Sequence, residues 1–378
     1  MLKKPLRLFL SAGEESADLH ASALCQHLRE LDPQVALYGF GGEKMREAGM
    51  EILYPLPDLA LIGFVEVLKH LPTIRSVEKL AKKTLDTNRP DALILIDYPG
   101  FNFRLANEAH KRGIPVFYFI APQVWAWKEK RVETMRRWLT HLFVIFPFEE
   151  SYFQNQGLPA TYVGNPLVER IPPSPEKTAP LAERLKSPLV GLLPGSRKSE
   201  LRHLLPIMVQ AATLLRAKRP EARFRLIVAD SMSDAFLQTF PLPTWLEVVR
   251  DTNYQLRREM DFAWTASGTA TVENALLGLP MAVVYRTQPI NMFLGRHLVR
   301  ILYIGMVNLI AQKGICPELI QEQCHPALLA RFADDLFSSP DRYQEMIHDL
   351  HQVRKKIGPR SATRSTAEYI LAHFHPQT

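Results

Sequence analysis

Cysteine is scarce in this chain: there are three, Cys25, Cys316 and Cys324, in 378 residues. An odd number with no paired spacing excludes a disulfide-stapled scaffold and fits a reducing compartment. Long apolar runs are missing as well, since none approaches the roughly 20 residues a spanning helix needs. The apolar start ends within a few residues at Glu14, Glu15 and Asp18, so it reads as a first buried strand and not as a signal peptide. There is no Walker A loop and no G-x-G-x-x-G fingerprint, which disfavours an NTPase and a dehydrogenase. The chain contains no D-x-D and no H-x-x-x-H, so no metal is expected. RRM, KH, zinc-finger and helix-turn-helix signatures are absent too, and nucleic acid is not expected as a partner.

What is present is the balance of a globular protein, 47% apolar and 22% charged residues, in a chain long enough for two α/β units. The net charge of +7 asks for anionic partners, among which an anionic membrane surface and phosphorylated substrates remain open. Residues 6–11, 35–40, 92–97, 116–120, 142–146 and 161–164 are short, rich in Val, Ile, Leu, Phe and Tyr, and show little alternation. Parallel strands covered on both faces have that pattern. Helical stretches such as 18–31 and 102–112 separate them. After the proline-rich 171–175 the alternation restarts at 189–193, 223–228, 247–249, 263–266 and 281–285, and 326–374 is mostly helical. Strand–helix alternation of this kind predicts two doubly wound parallel sheets, with ligands in a cleft at the strand carboxyl ends.

Several strand ends carry candidate chemistry. Ala266-Ser267-Gly268-Thr269-Ala270-Thr271-Val272-Glu273 joins a strand to a helix through small residues, a junction suited to a diphosphate, with Glu273 placed to accept from ribose hydroxyls. The alternative is plain capping by Ser267 and Thr269 with Glu273 as a capping-box partner. Leu193-Pro194-Gly195-Ser196-Arg197 has a related layout, and Arg197 could fork onto phosphate oxygens or simply be exposed on a turn. Ser11-Ala12-Gly13-Glu14-Glu15-Ser16 lets backbone approach a ligand, while Asp18 reads as a first-turn acid. In Ile96-Asp97-Tyr98-Pro99-Gly100 a carboxyl stands at a strand end, as a general base or as a turn cap. Two apolar stretches with basic residues, 59–71 and 291–306, read as amphipathic membrane-facing segments or as core helices.

Taken together, these segments resemble the lipid-A-disaccharide synthase family over essentially the whole chain. The residues that carry the resemblance are Ala12-Gly13-Glu14-x-Ser16-x-Asp18, Gly39-x-Gly41-Gly42-x-x-Met45 and Ile62-Gly63-x-Val65-Glu66-Val67-Leu68. Ile96-Asp97-x-Pro99-x-Phe101-Asn102, Val124-Trp125-Ala126-Trp127, Phe146-Pro147-Phe148-Glu149 and Leu193-Pro194-Gly195-Ser196-Arg197 continue the series. Ser267-Gly268-Thr269-Ala270, Tyr285-Arg286 and Asn308-Leu309 complete it, in matching order and spacing.

The resemblance implies a GT-B fold: two Rossmann-like domains, 1–166 facing the acceptor and membrane and 167–378 binding the nucleotide sugar, with a last helix at about 360–375 packing back on the first. It implies inverting transfer of 2,3-diacylglucosamine from UDP-2,3-diacylglucosamine to 2,3-diacylglucosamine 1-phosphate (lipid X), without a cofactor or metal. Asp97 would be the base and Arg197 essential. Gly13, Glu14, Ser16, Ser196, Ser267, Gly268, Thr269, Glu273, Arg286 and Asn308 would bind the donor. Ile62, Phe64, Val65, Val67 and Leu68 would meet acyl chains at the cytoplasmic face of the inner membrane, and a homodimer is compatible with this reading. Ala17 and Gly100 depart from the family, where Gly and a second Asp are frequent, and Ala121 and Gln123 replace serines. Two other classes remain: another GT-B enzyme, such as a lipid-linked N-acetylglucosaminyltransferase or a UDP-sugar epimerase, and a non-catalytic basic protein binding membrane or RNA.

Overall fold

The computed structural model describes residues 4–55, 71–127, 130–175, 177–286 and 302–375. They divide into two units, Met1–Pro166 with Pro359–Thr378, and Leu167–Gly358. In the first unit the strands are β1 (Arg7–Ala12), β2 (Ala36–Gly41), β3 (Glu51–Pro55), β4 (Ala92–Ile96), β5 (Val116–Phe119), β6 (His141–Val144) and β7 (Ala160–Tyr162). They pair in the order β3-β2-β1-β4-β5-β6-β7, and every pairing is parallel.

Burial explains why these strands do not alternate in sequence. Leu93 and Leu95 of β4 join one apolar cluster with Phe9, Tyr118 and Phe101, while Ile94 and Ile96 join another with Leu8, Leu10 and Phe119. Both faces of the sheet are therefore dry. The second cluster also takes in Ala362, Ala367, Ile370 and Leu371. These come from the helix Ala362–Phe374, which packs against the helix Glu15–Leu31. On the same face Tyr369 stacks on His141 at 4.2 Å and its hydroxyl lies 3.0 Å from His141 Nδ1.

The second unit repeats the scheme with β8 (Leu189–Leu193), β9 (Arg223–Ile227), β10 (Leu246–Val249), β11 (Phe262–Ala266), β12 (Met281–Tyr285) and β13 (Glu318–Ile320). Their order is β10-β9-β8-β11-β12-β13, again all parallel. Trp264 of β11 is fully buried, its indole donating to the Leu329 carbonyl at 3.3 Å.

The two sheets reverse their strand order between β1 and β4 and between β8 and β11. At such a reversal the following loops diverge and leave a crevice at the strand carboxyl ends. No helix among the described residues is long and apolar enough to cross a membrane. The apolar patch Ile62, Phe64, Val65, Val67 and Leu68 and the stretch 291–301 lie outside the described residues.

Candidate functional site

At the reversal in the first sheet, β4 ends at Ile96 and hands the chain to Asp97. The chain leaves through two successive left-handed residues, Asp97 at φ 46° and Tyr98 at φ 48°. That conformation is costly for non-glycine residues and persists where the surroundings enforce it. Here Asn102 enforces it. Its Nδ2 donates to the carbonyls of Asp97 (2.7 Å), Ile96 (3.2 Å) and Ser11 (3.3 Å). The Tyr118 hydroxyl donates to the Asp97 carbonyl as well, at 2.6 Å. The backbone is thus pinned at its oxygen, and the half-buried carboxyl stands at the strand end. Burial first, and then the nearby Glu14 charge, push the Asp97 carboxyl up to about 6, against an opposing hydrogen bond from the Tyr98 backbone. A carboxyl titrating near neutrality at a strand end is suited to accept a proton.

Gly13 directly follows β1 beneath the Tyr98 ring, where any Cβ would overlap the ring. Glu14 and Ser16 are exposed at the start of the helix Glu15–Leu31. Asp18 does more than its place in a first turn suggests. It is buried, and its carboxylate accepts from the N–H groups of Gly42 (2.9 Å), Lys44 (3.2 Å) and Met45 (3.2 Å), capping the helix Glu43–Glu47. Glu149, visible in the sequence only as part of a motif, is buried and accepts from Trp125 Nε1 at 2.9 Å and Phe146 N at 3.1 Å. Desolvation raises it to about 7. It ties the segment after β5 to the end of β6.

At the reversal in the second sheet, the ends of β8 and β11 open on a cavity of about 350 Å³ lined by Gly195, Ser196, Arg197, Glu200, Ser267, Gly268, Thr269, Ala270, Arg257 and Glu273, among others. Gly268 stands at φ 139°, open to glycine alone without strain. It starts the helix Thr269–Leu277, in which the N–H groups of Thr269 and Ala270 precede the bond from Thr271 N to the Gly268 carbonyl at 3.1 Å and stand at the positive end of the dipole. At the other strand end the equivalent amides are taken: Glu200 Oε2 accepts from Ser196 N at 3.0 Å and Arg197 N at 3.2 Å. The amides of this cavity not taken by Glu200 therefore come from the Thr269 turn. Arg197 contributes its side chain, 80% exposed and 3.3 Å from Glu200 Oε1.

Several expected roles change here. Ser267 is not a plain N-cap, because its hydroxyl donates to the Ile304 carbonyl at 2.7 Å. Nor is Glu273 a capping-box partner: Tyr254 OH donates to Oε1 at 3.1 Å and Arg257 Nη1 to Oε2 at 2.6 Å. Asn308, expected in the donor site, is fully buried and does not line the cavity. Its Nδ2 donates to Cys316 O and Glu318 Oε1, each at 2.8 Å, and its Oδ1 accepts from Cys316 N at 2.9 Å. With Glu318 accepting from Ile304 N and Gly305 N, both at 2.9 Å, Asn308 shapes the turn that Ser267 grips. Arg286 is exposed and outside the cavity lining. Arg257 is a site residue that sequence reasoning misses, since nothing in Gln255-Leu256-Arg257-Arg258 distinguishes it from a surface arginine. Among the described residues no group of three or more His, Cys, Asp or Glu side chains could hold a metal ion.

The family model described as lipid-A-disaccharide synthetase matches residues 8–374. A lipid-A-disaccharide synthase from Geobacter metallireducens is 37% identical over 370 residues, covering 97% of this chain and 96% of that protein. Lipid-A-disaccharide synthase 1 from Legionella pneumophila is 34% identical over 374 residues, covering 97% of each. Among solved structures, the calicheamicin glycosyltransferase CalG4 has a TM-score of 0.61 at 14% identity, covering 99% of both chains. The UDP-GlcNAc 2-epimerase from Neisseria meningitidis bound to UDP-GlcNAc also scores 0.61, at 12% identity, covering 99% of this chain and 100% of that one. At such identities these two likenesses concern the GT-B fold alone.

Proposed function

The chain belongs to the lipid-A-disaccharide synthase family and is a glycosyltransferase of lipid A biosynthesis; from that premise we propose that it transfers 2,3-diacylglucosamine from UDP-2,3-diacylglucosamine to lipid X with inversion at the anomeric carbon. The acceptor hydroxyl is a weak nucleophile until a base removes its proton as the new C–O bond forms. Asp97 is that base. One observation carries the reading: a half-buried carboxyl raised to about 6, fixed at the carboxyl end of β4 by Asn102.

UDP leaves as charge develops on its diphosphate. The open amides at Thr269 and the Arg197 guanidinium, both at the 350 Å³ cavity, supply the donors that stabilise this charge without a divalent metal. Glu273, in the same lining, accepts from the ribose hydroxyls. The lipid substrates are met at the inner face of the inner membrane through Ile62, Phe64, Val65, Val67 and Leu68, with the net charge of +7 favouring an anionic surface.

A UDP-sugar epimerase shares the fold and would release UDP or epimerise its sugar without an acceptor. Incubating the donor with and without lipid X, and following UDP and disaccharide together, separates the two. Turnover is expected only with the acceptor, and Asp97→Asn is expected to lose turnover while still binding UDP.

A further inference from the structure

Asp251 and Tyr254 have no part in the mechanism above, yet both are hydrogen-bonded around the turn that carries Arg257. Asp251 accepts from two backbone amides of the following turn, Leu256 N at 3.2 Å and Arg257 N at 2.9 Å, fixing where the helix Gln255–Glu259 begins. Tyr254 enters that helix at φ 63°, a strained position for an aromatic residue. It is buried, with the Arg257 guanidinium carbon 5.2 Å and the Arg170 guanidinium carbon 5.8 Å from its ring centroid.

From this platform two donors reach one carboxylate. Tyr254 OH donates to Glu273 Oε1 at 3.1 Å and Arg257 Nη1 to Glu273 Oε2 at 2.6 Å. Arg257 Nε is buried without a hydrogen-bond acceptor and lies 3.8 Å from Asp251 Oδ2. A buried guanidinium nitrogen left short of an acceptor is costly, and retaining it calls for an explanation beyond packing. The Tyr254 hydroxyl, pushed up to about 12 chiefly by burial and next by the Glu273 charge, stays a donor throughout the neutral range. A carboxylate has about four acceptor sites; Tyr254 and Arg257 take one on each oxygen, and Glu273 and Arg257 both line the cavity.

We propose that Tyr254 and Arg257 are positioning residues that aim the Glu273 carboxylate at the ribose of the nucleotide, making the site selective for a ribose over a deoxyribose diphosphate. The inference rests on the donor reading above and deepens it. Without the two donors Glu273 can rotate among rotamers, and the ribose hydroxyl loses a directed, charge-assisted partner. Binding of the base and diphosphate does not pass through this contact.

The test is calorimetric titration of UDP, 2′-deoxy-UDP and 3′-deoxy-UDP into the full-length protein and its Tyr254→Phe, Arg257→Met and Glu273→Gln variants. The parent protein is expected to prefer UDP over at least one deoxy analogue by about tenfold or more, as for a lost hydrogen bond to a charged group. Tyr254→Phe should lose most of that preference while binding the deoxy analogue about as the parent does; Arg257→Met should lose the preference too, on top of whatever the lost cation costs all three nucleotides at the cavity it lines. Tyr254→Phe removes one hydroxyl and keeps the ring, so it reads out the proposal even if Arg257→Met does not fold. Variants that weaken all three nucleotides by one factor and keep the preference overturn the inference and leave the donor reading standing. A parent protein that binds UDP without preference overturns the ribose role of Glu273 and the inference with it. A parent that binds no UDP overturns the donor reading itself.

Discussion

Ser11 and Asn102 are bonded in both directions: the Ser11 hydroxyl donates to Asn102 Oδ1 at 2.8 Å, and Asn102 Nδ2 donates to the Ser11 carbonyl at 3.3 Å. Because the same Nδ2 also holds the carbonyls of Ile96 and Asp97, one buried amide joins the ends of β1 and β4. Asn102→Ala would leave these buried groups short of partners at a cost of about 2–3 kcal/mol. Urea denaturation should show that loss. Turnover should fall with it, although Asp97 is untouched, because the left-handed turn that presents the carboxyl is no longer enforced.

Asp97→Asn should stabilise the protein in one pH range only. The folded carboxyl titrates at about 6 against an ordinary value of 3.8, so between those values the native state holds a proton that the unfolded chain has released. Stability from this group therefore falls as pH rises through that window. Above it the ionised carboxylate costs about 3 kcal/mol, and below it nothing. Asparagine carries no such cost and tolerates a left-handed conformation. Thermal unfolding at pH 8 should show the variant more stable than the parent, and at pH 4 the two should converge. In the parent, kcat/KM should rise with pH to a plateau above about 6, as ionised Asp97 accumulates.

How much of this is legible in the sequence differs by element. The central strands announce themselves because both faces are buried, as Leu93 to Ile96 show. β3 and β13 stand at sheet edges, and neither is among the strands expected from the sequence. Glu51 and Pro55 of β3 are exposed, and in β13 Leu319 alone is buried, so neither leaves an apolar run to read. Among site residues, Asp97 and the Ser267–Thr269 junction are local signals, a polar residue at the end of an apolar strand. The pairings of Arg257 with Glu273 and of Asn308 with Glu318 are another matter. Both are made by tertiary packing, and no spacing in the chain encodes them.

Arg197→Ala should cost about 2–4 kcal/mol of transition-state stabilisation, the effect of one lost electrostatic donor. Its pairing with Glu200 is exposed and contributes little to folding, so the melting temperature should not move. EDTA should leave activity in place. Abolished turnover that Mg²⁺ restores would contradict the metal-free reading.

Replacing Val65, Val67 and Leu68 with serine should shift the protein from the membrane pellet to the supernatant while it keeps a cooperative thermal transition. Loss of that transition would mean that these residues belong to a core.

The central claim is acceptor-dependent transfer with Asp97 as base, and it is tested most directly by UDP release from UDP-2,3-diacylglucosamine with and without lipid X, for the parent and Asp97→Asn. The parent should release UDP only with lipid X, one equivalent per disaccharide. Asp97→Asn should be slower by at least the ~10²–10⁴-fold that a positioned base contributes, with UDP affinity unchanged. UDP release independent of lipid X, or an Asp97→Asn rate within a few-fold of the parent, would contradict it.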